Sequence, residues 1–427
     1  MSPNHSLSLD AARLILSHPT GNANVRAVAK GFMEANFLYE FQTSIASFPG
    51  DFWDMLASTA LLNEIRRRSF DPLLQPVTKI YPWREIGRLI SSKAGIKKFT
   101  RHETGFFSID AVYRNLDKYV ASKLKCSTKN GVKAIYAYED GARCTFKEAK
   151  KLGLNCFYDL PIGYWRAAKQ LLEGEKERWS DWASTLTGFE DSEIKLSYKD
   201  EELSQADRIF VASTFTAKTL KEFPGVLAPV DVIPYGFPKV NTIRSYSNVR
   251  SKLLKLLFVG SLSQRKGIAD LFSAVEPFQN HIQLTLVGRK VTEKCVALEK
   301  ELAKHTWFPS LPHEQVLQLM REHDVLVFPT LFEGFGLVIT EAMSQGTPVI
   351  TTERCAGPDL IEHENNGWLI RAGSINDLQT TIEKIVRNPQ QICKAGKEAM
   401  ETAKKRPWSV YANQLVESVS RHMGIPI

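Results

Sequence analysis

Two glutamates eight positions apart, Glu333 and Glu341, bracket a glycine pair in the run Phe328-Pro329-Thr330-Leu331-Phe332-Glu333-Gly334-Phe335-Gly336-Leu337-Val338-Ile339-Thr340-Glu341-Ala342-Met343. The apolar residues before it read as a strand and those after it as a helix. One carboxylate therefore sits in a strand-to-helix loop and the other inside the helix. Gly334 and Gly336 lack Cβ atoms, so the backbone there can approach a ligand and present amide groups, and a helix start favours negative charge. That is a phosphate-receiving geometry. An ionised carboxylate only accepts hydrogen bonds, so a glutamate at the rim suits a ligand rich in hydroxyl donors. A glycine-bearing turn with two surface glutamates is the plainer alternative, because short glycine motifs match by chance.

The surrounding elements place this loop. Val325 to Phe328 (VLVF) is a short apolar run, and Leu256 to Gly260, Gln283 to Gly288, Thr347 to Thr352 and Gly367 to Ile370 repeat the form. Helical patterns separate them at Glu314 to Glu322, Gly336 to Ser344 and Ile375 to Arg387. Strand and helix alternate at βαβ spacing, which predicts an open parallel sheet covered by helices, and in such a sheet ligands bind at the carboxyl ends of the strands. The first half begins alike, with Arg13 to Ser17, a turn at Pro19-Thr20-Gly21-Asn22 and a helix from Asn24 to about Asn36. Lys133 to Tyr138, Asn155 to Asp159 and Arg208 to Ala212 are further strands. We place an N-terminal α/β domain at 1–236, a Pro- and Gly-bearing, polar linker at 237–250, a second α/β domain at 251–406 and a terminal helix at 407–427.

Composition narrows the class. With 427 residues, 43% apolar and 24% charged, the chain is that of a two-domain globular protein rather than a disordered or fibrous one. No apolar run reaches the ~18 residues of a membrane span, and no basic segment followed by a long apolar core opens the chain, so a cytoplasmic protein is expected. Six scattered cysteines without a C-x-x-C pair predict reduced thiols and no zinc site. The net charge of +8 is concentrated: residues 60–133 hold 16 Lys or Arg against 6 Asp or Glu. Within this stretch Ile86, Leu89, Ile90, Ile96 and Phe99 interleave with Arg84, Arg88, Lys93, Lys97 and Lys98. The pattern fits a helix with its apolar side in the core, or a peripheral contact with an anionic membrane. No nucleic-acid-binding module accompanies the charge.

Several of these words occur together in one family. Phe258-Val259-Gly260, Lys266-Gly267, Glu333-Gly-Phe-Gly with Glu341-Ala-Met, and Gly346-Thr347-Pro348-Val349 resemble the donor domain of the retaining glycosyltransferases of family 4, which have the GT-B fold. Ala206 to Ser213 and Val232-Ile233-Pro234-Tyr235-Gly236 resemble the end of that family's acceptor domain, and Pro407-Trp408-Ser409 resembles the start of its last helix, which crosses back to the first domain. The resemblance covers about Ala206 to His422. It implies two Rossmann-like domains facing across a cleft and transfer of a sugar from a UDP- or GDP-sugar to an unknown acceptor with retention of configuration. No cofactor is implied.

The same resemblance assigns roles. Glu333 would bind the donor sugar, Gly334, Phe335, Gly336 and Leu337 the sugar and phosphates, Glu341 the ribose, and Lys266 the diphosphate. Where the family has an arginine after the first glycine, this chain has Gly260-Ser261, and Arg265 stands as its substitute. Gly288 and Leu311 would line the base pocket, and Gly21 would admit phosphate or acceptor. The family's histidine after a central strand of domain one is missing; Tyr138 or Glu139 occupies that place, with His18 and His102 as weaker candidates. Trp165, Trp179 and Trp182 read as core aromatics before a sugar platform. No Asp-x-Asp motif is present, so a mechanism without metal is expected. A non-catalytic GT-B protein that binds a glycan or partner is the alternative, suggested by the residues at Ser261 and Tyr138.

Overall fold

Short runs such as RLILS and LKLLFV are apolar on both faces, which suits strands covered by helices above and below. In the computed structural model, which describes residues 13–57, 62–187, 191–240, 244–246 and 253–425, these runs build two parallel sheets. The first contains β1 (Arg13–Ser17), β2 (Leu38–Thr43), β3 (Thr78–Ile80), β4 (Val132–Tyr138), β5 (Asn155–Leu160), β6 (Arg208–Val211) and β7 (Val230–Val232), in the order β3-β2-β1-β4-β5-β6-β7. The second contains β8 (Leu254–Val259), β9 (Ile282–Val287), β10 (Thr306–Phe308), β11 (Val325–Phe328), β12 (Val349–Thr352) and β13 (Gly367–Ile370), in the order β10-β9-β8-β11-β12-β13. Both sheets reverse their winding beside their first strand, between β1 and β4 and between β8 and β11. At such a switch point the loops diverge and leave a crevice.

The two halves exchange elements. The helix Trp408–Met423, at the end of the second half, lies on the helix Ala23–Glu34 of the first, so closely that a Cβ on Gly31 would stand 2.9 Å from that of Ala412. Conversely, the helix Trp165–Arg178 starts against the first half, where the Trp165 indole donates to Asp200 (2.8 Å), and its end and the turn Ser180–Thr185 pack on the second. Trp182 stacks on Phe272 with ring centroids 5.7 Å apart, the Trp179 indole donates to Asp270 (3.1 Å), Arg178 pairs with Asp270, and Thr185 Oγ1 accepts from the Gln264 amide (2.9 Å). Trp179 and Trp182 are thus packing residues of the second half.

A continuous apolar cluster runs from Leu14 and Tyr136 through Tyr235 and Phe335 to Leu257 and Leu326. Half of the expected linker, 237–250, falls outside the described residues; in its described part Tyr246 donates to the Gly346 carbonyl (2.7 Å), within the Gly-Thr-Pro-Val run. The basic stretch includes the helices Trp83–Lys93 and Ile109–Thr128 and the segment between them. Leu89 faces the core, whereas Ile90, Ile96 and Phe99 are exposed.

Candidate functional site

The glycine-rich loop leaves β11, and its lysine-bearing partner loop leaves β8. Both start at the carboxyl edge of the second sheet, beside its switch point. Gly267 takes φ +69°, in the left-handed region open to glycine, and a Cβ there would lie 2.0 Å from the Pro329 carbonyl oxygen. That close approach locks the two loops together. The Leu331 amide donates to the Arg265 carbonyl (2.9 Å), and Thr330 Oγ1 donates to the same oxygen (3.2 Å).

The lock brings three side chains to one point. Arg265 Nη1 donates to Glu333 Oε2 at 3.0 Å and to the Phe332 carbonyl at 2.9 Å, and the Lys266 ammonium pairs with the same Glu333 oxygen. Lys266 is buried, with its ammonium 4.8 Å from the centre of the Phe328 ring, and the Glu333 side chain keeps 19% of its exposure. Burial works against the Glu333 charge, but the two cations outweigh it and hold the carboxyl down at about 2. Burial also draws the Lys266 ammonium below the usual lysine range, against the pull of Glu333. The result is an ion cluster with two positive groups to one negative group, at a loop whose next turn is the N-terminus of the helix Leu337–Ser344.

The remaining residues of the second half frame this cluster. Gly336, at φ +87°, precedes the helix. Phe335 is buried with its ring 4.8 Å from that of Tyr235, and Leu337 is half-buried against the core. Glu341 lies within the helix, 3.8 Å from His313 Nδ1, and burial pushes its carboxyl above the usual range. The Gly260 amide donates to the Val287 carbonyl (2.9 Å) beside Gly288, Ser261 is half-buried in the next turn, and Leu311 packs at the margin of the core beyond β10.

From the first half, the segment after β5 meets the glycine-rich loop directly. A Cβ on Gly334 would stand 2.1 Å from the Pro161 carbonyl oxygen, and one on Gly163 would stand 2.4 Å from the Phe332 ring. The Gly334 carbonyl accepts from Ser213 Oγ (2.5 Å) and Thr216 Oγ1 (3.0 Å). Ser213 closes the Ala206-to-Ser213 run, but nothing in the sequence marks it or Thr216 for this contact. Their signal is a serine N-cap after an apolar strand, which marks a helix start and says nothing of a partner more than a hundred residues away.

Tyr138 ends β4, fully buried, with its ring 4.7 Å from that of His18, which follows β1. Its hydroxyl has no hydrogen-bond partner among the described residues. Glu139 points elsewhere, to Lys199 (3.2 Å). Gly21 lies under Phe70, whose ring occupies the place of a side chain. His102 is remote from this group and pairs with Asp191 (2.9 Å). Asp159, in register with Tyr138 on the neighbouring strand, accepts from the Tyr136 hydroxyl (2.7 Å).

Burial moves the titration of two of these groups in opposite senses relative to stability. It lowers His18 from 6.5 to about 4 and raises Asp159 from 3.8 to about 7. For His18 the unfolded chain takes up the proton first, so its contribution weakens as pH falls from 6.5 towards 4. For Asp159 the folded chain keeps the proton longer, so stability falls as pH rises from about 4 through 7. Asp159→Asn removes only the second slope. Its melting temperature relative to wild type is therefore expected to rise between about pH 5 and pH 8; a difference that stays flat in thermal denaturation across that range would show that the carboxyl titrates normally.

Residues 240–406 match the family "Glycosyl transferases group 1". The chain is 29% identical over 171 residues to the lipopolysaccharide 1,6-galactosyltransferase of Salmonella typhimurium, covering 38% of this chain and 48% of that protein. The chain spans about half the length of the curated relatives it matches. Among solved structures, sucrose-phosphate synthase from Thermosynechococcus elongatus superposes with a TM-score of 0.67 at 18% identity, over 97% of this chain and 99% of that one. HepE from Anabaena, solved in complex with UDP, gives 0.61 at 16% identity, over 96% of this chain and all of that one. The protein has the GT-B fold, and its second half carries a glycosyl transferases group 1 domain.

Proposed function

We propose that the protein is a glycosyltransferase of family 4 that moves a sugar from a nucleotide diphosphate to an acceptor with retention of anomeric configuration. The observation that carries this reading is the cluster of Lys266, Arg265 and Glu333 at the head of the glycine-rich loop. A diphosphate arriving there meets two cations already gathered and a helix N-terminus. Glu333 accepts from sugar hydroxyls, Glu341 takes the ribose hydroxyls, and the amides from Gly334 to Leu337 hold the sugar and phosphates. Gly288 and Leu311 flank the base, and Gly260 and Ser261 border the donor beside them.

The reaction exchanges one bond for another at the anomeric carbon. The bond to the departing diphosphate oxygen breaks, the acceptor oxygen bonds from the same face, and the acceptor proton passes to the departing phosphate. No covalent protein nucleophile is required. Lys266 and Arg265 stabilise the leaving charge, so no metal enters the step. In this reading residues 1–236 form the acceptor domain and 251–406 the donor domain, joined at 237–250, with 407–427 as the crossover helix. His18 and Tyr138 lie at the acceptor side. The UDP held by the Anabaena neighbour and the lipopolysaccharide named for the Salmonella relative support a UDP- or GDP-sugar donor and a glycan or lipid-linked acceptor. The enzyme would work in the cytoplasm.

A thermal-shift panel of UDP, GDP and their sugar conjugates tests the donor. At 100 times its dissociation constant the cognate donor is expected to add about 2.7 kcal/mol of stability. Transfer in the presence of EDTA, with the product's anomeric configuration read by NMR, tests the rest. Stabilisation without hydrolysis or transfer to any acceptor would favour the binding-module alternative, and no shift with any nucleotide would overturn the donor reading.

A further inference from the structure

The helix Trp83–Lys93 has two faces with different partners. Inward, its Glu85 is fully buried, paired with Arg68 and with Arg88 (2.7 Å), and Arg68 Nη1 donates to the Pro19 carbonyl (3.2 Å) beside His18. Outward, Trp83 lies in an aromatic cluster centred on the half-buried Phe107. The rings of Trp83, Phe99 and Phe106 stand 6.5, 6.0 and 4.9 Å from that of Phe107. Those three keep 40%, 43% and 53% of their surface in solvent, and Ile90, Ile96 and Ile109 are also exposed.

This apolar face is built rather than frayed. The Phe107 amide donates to the Phe99 carbonyl and the Gly105 amide to the Arg101 carbonyl, both at 2.8 Å. Glu103, in the left-handed region at φ +53°, ties the turn to the next helices: its amide donates to Asp110 (2.9 Å), and its carboxylate accepts from the Ser192 amide (2.7 Å). The Arg84 guanidinium sits over the Trp83 and Phe106 rings, 4.3 and 3.9 Å from their centroids. Lys93, Lys97, Lys98 and Arg101 are exposed around the cluster, and residues 83–101 hold six basic residues and one acidic residue, the buried Glu85. Exposed aromatic rings ringed by long basic side chains suit one environment above others, the boundary between anionic headgroups and acyl chains.

We propose that this face docks the protein on an anionic lipid bilayer. Because the opposite face of the same helix is tied to the turn holding His18, docking places the acceptor side of the crevice about one helix diameter, roughly 10 Å, from the membrane surface. The position relative to the crevice rests on the proposed transferase reading, but the docking itself needs no nucleotide sugar.

Flotation of the full chain without nucleotide, using vesicles of phosphatidylcholine alone or with about one third phosphatidylglycerol, separates the two. Wild type is expected to float with the phosphatidylglycerol vesicles and to bind at least about tenfold less to phosphatidylcholine. Lys97→Glu/Lys98→Glu and, separately, Trp83→Ser/Phe106→Ser are each expected to reduce binding at least about tenfold with the cooperative melt retained. Equal, negligible binding to both vesicles would overturn the proposal, as would anionic binding that survives both double substitutions. A wild-type dimer that the same substitutions convert to monomer, without vesicle binding, would assign the face to a second copy of the chain and also overturn it.

Discussion

In the proposed transferase, Lys266→Ala is expected to lower kcat/KM for the cognate nucleotide sugar by about 10²- to 10³-fold, the cost of removing one preorganised charge from a water-poor site. Its ammonium is buried, so water cannot supply an equivalent countercharge when the diphosphate departs. The fold should tolerate the change better than the chemistry. Glu333 keeps Arg265 at 3.0 Å and some solvent access, and so is not left as a bare buried carboxylate. Its carboxyl should nevertheless titrate higher than the present value of about 2, since one of the two cations holding it down is gone. Steady-state kinetics and donor-free thermal denaturation measured on the same preparation check both halves of the expectation. Activity within tenfold of wild type would remove Lys266 from the donor site.

The second large effect comes from adding a single methyl group. In Gly334→Ala the new Cβ would meet the Pro161 carbonyl oxygen at 2.1 Å and the Ile162 Cα at 2.6 Å, both backbone atoms. No rotamer change relieves such a contact, so the loop after β5 and the glycine-rich loop must part. Overpacking of this kind costs about 1–3 kcal/mol. The displacement is felt most by the adjacent Glu333, where a misplacement of about 1 Å is enough to cost about 10²-fold in turnover. Gly174→Ala is the matching control. Gly174 is in the exposed part of the helix Trp165–Arg178, with nothing within 4 Å of its Cβ position, and alanine there should stabilise by about 0.5–1 kcal/mol. Melting temperature and kcat of both variants decide the matter: equal behaviour would mean that the contact at Gly334 gives way freely.

These residues show what a sequence discloses and what it conceals. The strand, loop and helix around Glu333 are legible because apolar periodicity, two glycines and a carboxylate fall within sixteen consecutive residues. β1 and the helix Ile375–Arg387 are legible for the same local reason. β3 (TKI) and β7 (VDV) are not, since three-residue edge strands carry little apolar alternation, and β2 (LYEFQT) hides a strand behind a glutamate and a glutamine. The meeting of Arg265 and Lys266 with Glu333 joins two loops 67 and 68 residues apart, and no spacing rule reveals it without a resemblance to other chains. Ser213 and Thr216 are more distant still. Trp179 and Trp182 are legible as packing residues, but not as packing residues of the opposite half, because apolarity reports that a side chain is buried and not against what.

The mutual exchange of elements between the halves bears on how the chain is made. Gly31 packs against Ala412, so the helix Ala23–Glu34 waits for a helix synthesised much later. Until then the covered face of the helix Ala23–Glu34 lacks its partner, and the segment Trp165–Thr185 is synthesised well before Asp270 and Phe272, the residues that receive it. Contacts this distant in sequence close slowly and leave apolar surface open meanwhile. The first half is therefore the one that waits: a chain paused after the first sheet leaves the covered face of the helix Ala23–Glu34 open, whereas the element that the second half borrows is already made when its sheet emerges.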